Sequence, residues 1–393
     1  MADIGDQIII SGDSHFAEPP DLFETRLPAR LRDRAPRVVS ASLPDGREGE
    51  FFMVENLEPA GVAGVLGAGS ADIREANKLG YAAAPKSVWD PAERIKEQDL
   101  DTISAEVLYS SWGMFLFSLD DDDLRAECFT AFNGWASEYC SHDPNRLKGL
   151  GLCDVTDPAT AVRHLEQIKR TGLSGALVTG SPEDERPYFI DDYEPVWAAA
   201  ADLDVPLSMH ILTGAKGKGG IKHARMQPNG KPSPAALVHY VTNVLGELQA
   251  SLGHMIASGV FDRYPTLKLI MAETDVGWQP HFIYRMDHFL DTGHGQYLTQ
   301  QRRTGEYFAD NIFSTAQFET TGFQFAVEQL GADHFMWSTD YPHYDCRYPN
   351  DRAFVGKILA GGFKDDDVAM ILRGTAAALY GIDVAALPVP ATV

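Results

Sequence analysis

Near the start of the chain, Ile8-Ile9-Ile10-Ser11-Gly12-Asp13-Ser14-His15 puts a carboxylate and an imidazole two residues apart at the end of an apolar run. On an extended strand, residues i and i+2 point the same way, so Asp13 and His15 can grip one divalent cation together. Two later runs close in the same manner. Pro206-Leu207-Ser208-Met209-His210 ends on an imidazole, and His334 to Asp340 ends on a carboxylate. Leu267 to Glu273 adds a further carboxylate. Two imidazoles and up to three carboxylates suit Zn²⁺ or Mn²⁺ and leave a coordination position for water or substrate. An ion held this way polarises a carbonyl or carboxylate and lowers the pKa of bound water toward about 7. Each residue alone has a plainer reading. Asp13 and His15 could be a turn pair, His210 a core histidine, Asp340 a turn former before Tyr341-Pro342, and Glu273 a salt-bridge partner. Their convergence carries the argument.

For these side chains to meet, the strands bearing them must aim their C-terminal ends at one place. Besides the opening run, strand candidates are Ile103 to Tyr109, Leu147 to Cys153, Gly175 to Thr179, Pro206 to Ile211, Leu267 to Glu273, Asn311 to Thr315 and Phe335 to Thr339. Most are nearly continuous apolar runs, as expected of strands buried on both faces. Helical segments separate them: Asp121 to His142, Pro158 to Thr171, Tyr193 to Leu203, Pro234 to Tyr264, Trp278 to Leu290 and Thr321 to Leu330. Asp157 before Pro158 is an N-cap followed by proline in the first turn. This alternation predicts an α/β protein, a distorted (β/α)8 TIM barrel, with active-site residues at the C-terminal ends of its strands. No GxGxxG follows the first strand, which weighs against a dinucleotide-binding open sheet.

Three stretches break the rhythm. Residues 26–91 form an insertion after the first strand, with a hairpin over Val38 to Val54 turning at Pro44-Asp45-Gly46. Gly64 to Gly69 reads as a glycine-rich loop. Residues 213–234, after the fifth strand, read as a lid or specificity loop in which Lys216, Lys218, Lys222, His223 and Arg225 either recruit an anionic substrate or form a solvated surface. The expected organisation is one domain over residues 1–383 and a tail over 384–393. Trp112 and Phe115, past the second strand, are candidates for an apolar substrate contact, with core packing as the alternative. His254 reads as a core or interface histidine.

Composition bounds the partners. With 44% hydrophobic and 10% aromatic residues the chain can fill a large core. Its 33 basic and 56 acidic residues leave a net charge of −23, which opposes nucleic acid and anionic membranes. Cys128, Cys140, Cys153 and Cys346 lack metal-site spacing and read as free thiols of a reducing compartment. No signal peptide or membrane-length apolar run is visible, so the expectation is a cytoplasmic protein with a small-molecule substrate. A symmetric homodimer is the expected assembly.

Four segments carry a family resemblance: Ser11-Gly-Asp-Ser-His-Phe-Ala-Glu-Pro-Pro-Asp-Leu-Phe23, Ser258-Gly-Val-Phe-Asp-Arg-Tyr-Pro-Thr-Leu-Lys-Leu269, Glu273-Thr-Asp-Val-Gly-Trp-Gln-Pro280 and Trp337-Ser-Thr-Asp-Tyr-Pro-His343. In order along the chain, they resemble the amidohydrolase-related branch that includes aminocarboxymuconate-semialdehyde decarboxylase. The resemblance implies a distorted barrel with one divalent ion, Zn²⁺ or Mn²⁺, at its mouth. It matches Asp13, His15, His210 and Asp340 to the metal ligands. Decarboxylases of that branch usually carry histidine at the end of strand six, where this chain has Glu273. The expected chemistry is therefore decarboxylation of an aromatic or unsaturated acid, or hydrolysis of an amide, ester or C–C bond. Asp340, Glu273 and His343 are its candidate catalytic residues, and Trp112, Phe115 and Arg225 its substrate contacts. A metal-binding protein without catalysis is the remaining alternative.

Overall fold

The computed structural model describes residues 4–70, 72–215, 233–360 and 362–389. Its centre is an eight-stranded parallel barrel built of β1 (Ile10–Phe16), β5 (Ala105–Ser110), β6 (Leu147–Leu152), β7 (Gly175–Val178), β8 (Leu207–His210), β9 (Leu269–Ala272), β10 (Ile312–Ala316) and β11 (Phe335–Trp337). Each strand pairs with the next in this order. Between β11 and β1 the ring is closed at the top by the chain just past β11. There the Asp340 amide donates to the Asp13 carbonyl at 3.0 Å, and the His15 amide to the Tyr341 carbonyl at 2.7 Å. Helices follow the strands and cover their outer faces, as right-handed crossovers require.

Between β1 and β5 lies the insertion. It folds as a three-stranded antiparallel sheet of β2 (Arg37–Ser42), β3 (Glu48–Met53) and β4 (Ala60–Gly61). The hairpin turns where Pro44-Asp45-Gly46 predicts, with Gly46 at φ +87°. The glycine-rich stretch from Gly64 differs from its expectation, because Val62–Leu66 is a short helix whose Val62, Ala63 and Leu66 are buried.

Other boundaries moved for local reasons. The segment Pro234 to Tyr264 is interrupted: helix Leu245–Ala257 ends before Gly259, whose φ of +71° no helix accommodates, and Val260–Arg263 restarts. Strand β9 stops at Ala272 because Glu273 adopts φ +53°. Strand β1 holds a bulge between Ser11 and Ser14. A Cβ at Gly12 would stand 2.7 Å from the Met336 Cβ, so β11 presses on the bulge where only glycine leaves room. Beneath β1, the buried Arg94 donates to Glu106 at 2.6 and 2.9 Å and to the His15 carbonyl at 2.7 Å. The first strand is thereby tied to helix Pro91–Asp101. No described helix is long and apolar enough to cross a membrane.

Candidate active site

Four barrel strands bring residues in or just past their C-terminal halves to one corner of the mouth. His15 Nε2 lies 3.6 Å from Asp13 Oδ1 and 3.2 Å from Asp340 Oδ1. His210 Nε2 lies 3.5 Å from Asp13 Oδ2 and 3.5 Å from Glu273 Oε2. Asp13 Oδ1, His15 Nε2, His210 Nε2 and Asp340 Oδ1 are all buried without a hydrogen-bond partner. One such orphaned group costs about 1–3 kcal/mol, so four in one corner are unfavourable unless something joins them. A divalent cation could join three of them, because Asp13, His15 and His210 offer donor atoms that all lie within 4.8 Å of one another, while Asp340 groups with His15 and His343.

The opposite edges of both rings are anchored. His15 Nδ1 meets the Ser110 carbonyl at 3.3 Å, and His210 Nδ1 meets the Ile211 carbonyl at 2.8 Å. Donation from Nδ1 to a carbonyl leaves the Nε2 lone pair facing the corner, which is the tautomer a metal ligand needs. Burial, and then the neighbouring His343, push His15 down to about 4, so its ring is neutral. Burial also works against a charge on His210, but Asp13 and Glu273 outweigh it and raise this ring to about 9. An arriving cation would displace that proton.

The carboxylates divide into two kinds. Burial, helped by the Asp340 charge, raises the Glu273 carboxyl well above the ordinary carboxylate range. Burial opposes charge on Asp340 too, yet His343 and His15 outweigh it and hold that group well below the usual range. His343 Nδ1 sits 2.9 Å from the Asp340 carboxylate, and its ring stacks on His15 at 4.1 Å between centroids. The site thus sets a carboxyl pushed toward its neutral form, Glu273, beside one pushed toward its ionised form, Asp340. The Glu273 amide donates to Thr315 Oγ1 at 2.8 Å, and that oxygen is 3.5 Å from Asp13 Oδ2, so β10 positions both.

The backbone is strained here. Leu212, Glu273, Asp275 and Asp340 have φ of +65°, +53°, +48° and +57°, in a region that L-residues seldom occupy. Such strain persists only where the surroundings enforce it, and it clusters at functional sites.

A cavity of about 340 Å³ opens over this corner. Glu273, Asp340 and His343 form part of its polar wall, and Val65, Met114, Phe115 and Leu212 much of its apolar wall. Phe115 thus lies where the sequence expectation put it. Trp112 does not line the cavity: its ring stacks on Phe52 at 5.0 Å and its Nε1 donates to Tyr81 Oη at 2.5 Å, so it supports the insertion from behind. Arg225, with Lys216, Lys218, Lys222 and His223, lies outside the described residues. His254 is half-buried, edge-on to Phe189 at 5.1 Å, away from this cavity.

Among the cavity's polar lining residues, Arg47, Ser111 and Asp345 escaped the sequence reading. Arg47, from the hairpin, reaches the cavity and is held by Asp45 at 2.9 Å and the Pro59 carbonyl at 3.1 Å. Ser111 follows β5. Nothing local marks any of the three; only the docking of the insertion onto the mouth brings Arg47 there.

A family model described as Amidohydrolase matches residues 87–382. The chain belongs to the amidohydrolase family. It is similar to the gamma-resorcylate decarboxylase of Polaromonas sp. (strain JS666 / ATCC BAA-500), 30% identical over 240 residues that make up 56% of this chain and 68% of that one. In structure it resembles an amidohydrolase from Mycobacterium avium subsp. paratuberculosis, with a TM-score of 0.76 and 21% identity over 97% of this chain and 99% of the other. It also resembles a dihydroxybenzoic acid decarboxylase from Polaromonas sp. JS666 solved with manganese and the inhibitor 2-nitroresorcinol. That likeness has a TM-score of 0.60 and 20% identity, covering 95% of this chain and 97% of the other. This amidohydrolase carries, in Asp13, His15 and His210, a donor set that could hold a divalent ion.

Proposed function

We propose that this amidohydrolase is a non-oxidative carboxy-lyase acting on a hydroxylated aromatic acid. Asp13, His15, His210 and Asp340 would hold its ion. The observation that carries the reading is Glu273. A glutamate where related decarboxylases have histidine would repel a substrate carboxylate if it were ionised. Burial and the Asp340 charge push it toward the neutral form instead. As a neutral acid it does not oppose an anionic substrate, and it holds the proton that decarboxylation consumes.

The bound ion would supply Lewis-acid polarisation of a substrate oxygen. The protein does the rest. The apolar wall of Val65, Met114, Phe115 and Leu212 holds the ring and keeps water from it. Arg47 adds positive charge on the insertion side. The ring–carboxyl bond breaks, its electron pair stays on the ring carbon, and that carbon takes the proton from Glu273 as carbon dioxide leaves. Asp340, kept ionised by His343 and His15, balances charge at the corner.

A second reading, hydrolysis of an ester or amide, is favoured by one feature: the Asp340–His343 pair at 2.9 Å could orient an attacking water at the cavity wall. The test is to incubate the Mn²⁺-loaded enzyme with a panel of hydroxybenzoates and, separately, a panel of aryl esters and anilides. Release of carbon dioxide from the first panel is expected. Turnover confined to the second would overturn the carboxy-lyase.

A further inference from the structure

Two imidazoles of the proposed metal corner rest on one ring. Tyr109, on β5, is fully buried and is the register partner of His15 on β1. Its ring centroid lies 5.9 Å from that of His15 at an interplanar angle of 43°, and 5.2 Å from that of His210 at 56°. The His15 and His210 rings meet each other edge to face at 5.2 Å and 81°. The three rings thus form a closed cluster, every pair within the range of roughly 4.5–7 Å where ring contacts are favourable.

A tether holds that central ring. Tyr109 reaches across the barrel interior to β8, three strands further round, where its hydroxyl shares a hydrogen bond of 2.8 Å with the buried Ser208. Ser208 stands two residues before His210 on the same strand and so on the same face. Each imidazole has one polar anchor of its own at Nδ1, and that of His15 is long, 3.3 Å against 2.8 Å for His210. A single contact at one edge leaves an imidazole free to rock about it, and a ring contact is what sets the tilt. His343 steadies one face of His15, whereas His210 has ring contacts only with Tyr109 and His15 among the described residues. Packing alone does not account for a phenol here, because an apolar ring would fill the same space without a hydroxyl to satisfy.

We propose that Tyr109 is a positioning residue which, tethered through Ser208, fixes the tilt of the His15 and His210 rings so that both Nε2 atoms face one divalent ion. The inference rests on the reading of this corner as a metal site and adds to it a residue that does not touch the ion. Tilt matters because a ligating group must be held within roughly 10–20° of its productive direction. Partners that orient metal ligands from behind contribute roughly ten- to a hundredfold to metal affinity.

Calorimetric titration of chelator-stripped protein with Mn²⁺ tests this in wild type, Tyr109→Leu, Tyr109→Phe, Ser208→Ala and the control Phe129→Leu. Melting temperatures are recorded alongside on the metal-free proteins. Phe129 is fully buried on helix Asp122–Cys140, against Phe117 and His164, so its truncation reports what the loss of a core ring does in general. Tyr109→Leu is expected to weaken Mn²⁺ binding roughly ten- to a hundredfold. Phe129→Leu is expected to lower the melting temperature and keep the wild-type Mn²⁺ affinity. Tyr109→Phe and Ser208→Ala break the same hydrogen bond, so they should weaken binding by similar factors and no further when combined. Wild-type affinity in Tyr109→Phe and Ser208→Ala would overturn the proposal, even if Tyr109→Leu failed to fold. So would a Phe129→Leu variant that loses as much Mn²⁺ affinity as Tyr109→Leu. If wild type binds no Mn²⁺, the metal site itself falls and the role of Tyr109 with it.

Discussion

Among single residues, Glu273 and Asp340 are carboxyl groups at one cavity whose neighbours push them in opposite directions. Both carboxyl groups sit just past strand ends with left-handed backbone, but burial and the Asp340 charge outweigh the imidazoles at Glu273, whereas His343 and His15 outweigh burial at Asp340. Glu273→Gln keeps the shape and the neutral charge but has no proton to give. Its kcat for carbon dioxide release should fall at least about 100-fold with little change in KM, because general acid catalysis contributes roughly 10²–10⁴. Asp340→Asn should act differently. It removes a donor from the proposed ion and a partner from His343, so both manganese content and activity should drop. Elemental analysis beside the rate assay separates the two variants. The residues Asp13, His15, His210, Glu273 and Asp340 were legible in the sequence because each closes an apolar run. Arg47 and Ser111 were not, because nothing in a hairpin turn or a Ser-Ser pair states which cavity it will face.

At the scale of elements, the mouth depends on strands and helices meeting at fixed registers. Asp13 lies within the β1 bulge, where Met336 of β11 packs so close to Gly12 that a side chain there would clash. Farther out, helix Pro91–Asp101 meets helix Asp351–Leu359 through two acids, the Asp351 amide donating to Asp101 at 3.0 Å. Burial first, and then the Asp101 carboxylate, push Asp351 up to about 9, and burial raises Asp101 to about 6. An acid whose pKa is higher folded than unfolded binds its proton more tightly in the native state. Its stabilising effect is therefore complete below the unfolded value near 3.9 and is lost as pH climbs toward about 9. Asp351→Asn keeps a donor toward Asp101 without a titrating proton. The variant's melting temperature should fall less than that of wild type between roughly pH 5 and pH 9, as read by circular dichroism. A steeper fall in the variant would refute the raised Asp351 carboxyl. The interrupted helix after residue 234 and the short helix at Val62–Leu66 were misread for the same kind of reason. Local pattern gives helical period, but a glycine at positive φ or burial against the barrel decides where a helix starts and stops.

For the whole molecule, the barrel concentrates unfavourable groups at one end and leaves them to a ligand to satisfy. A divalent ion that binds the folded chain and not the unfolded one adds RT ln(1 + [L]/Kd), about 2.7 kcal/mol at a hundred times Kd. Stripping the protein with a chelator should lower its melting temperature by several degrees, and Mn²⁺ should restore it, with the size of the recovery depending on ion concentration. A protein indifferent to both treatments would mean that the four orphaned donors are not a metal site.

The sequence by itself determined the barrel and the donor types. Apolar runs at regular spacing can be buried only as parallel strands between helices, and the chemistry of a ligand is written in its side chain. What the tertiary structure decided was relation. Distances across the mouth, the protonation that splits Glu273 from Asp340, and the arrival of Arg47 and Ser111 at the cavity all depend on segments far apart in the chain. Burial and proximity set those properties, and neither is a property of any local stretch of residues.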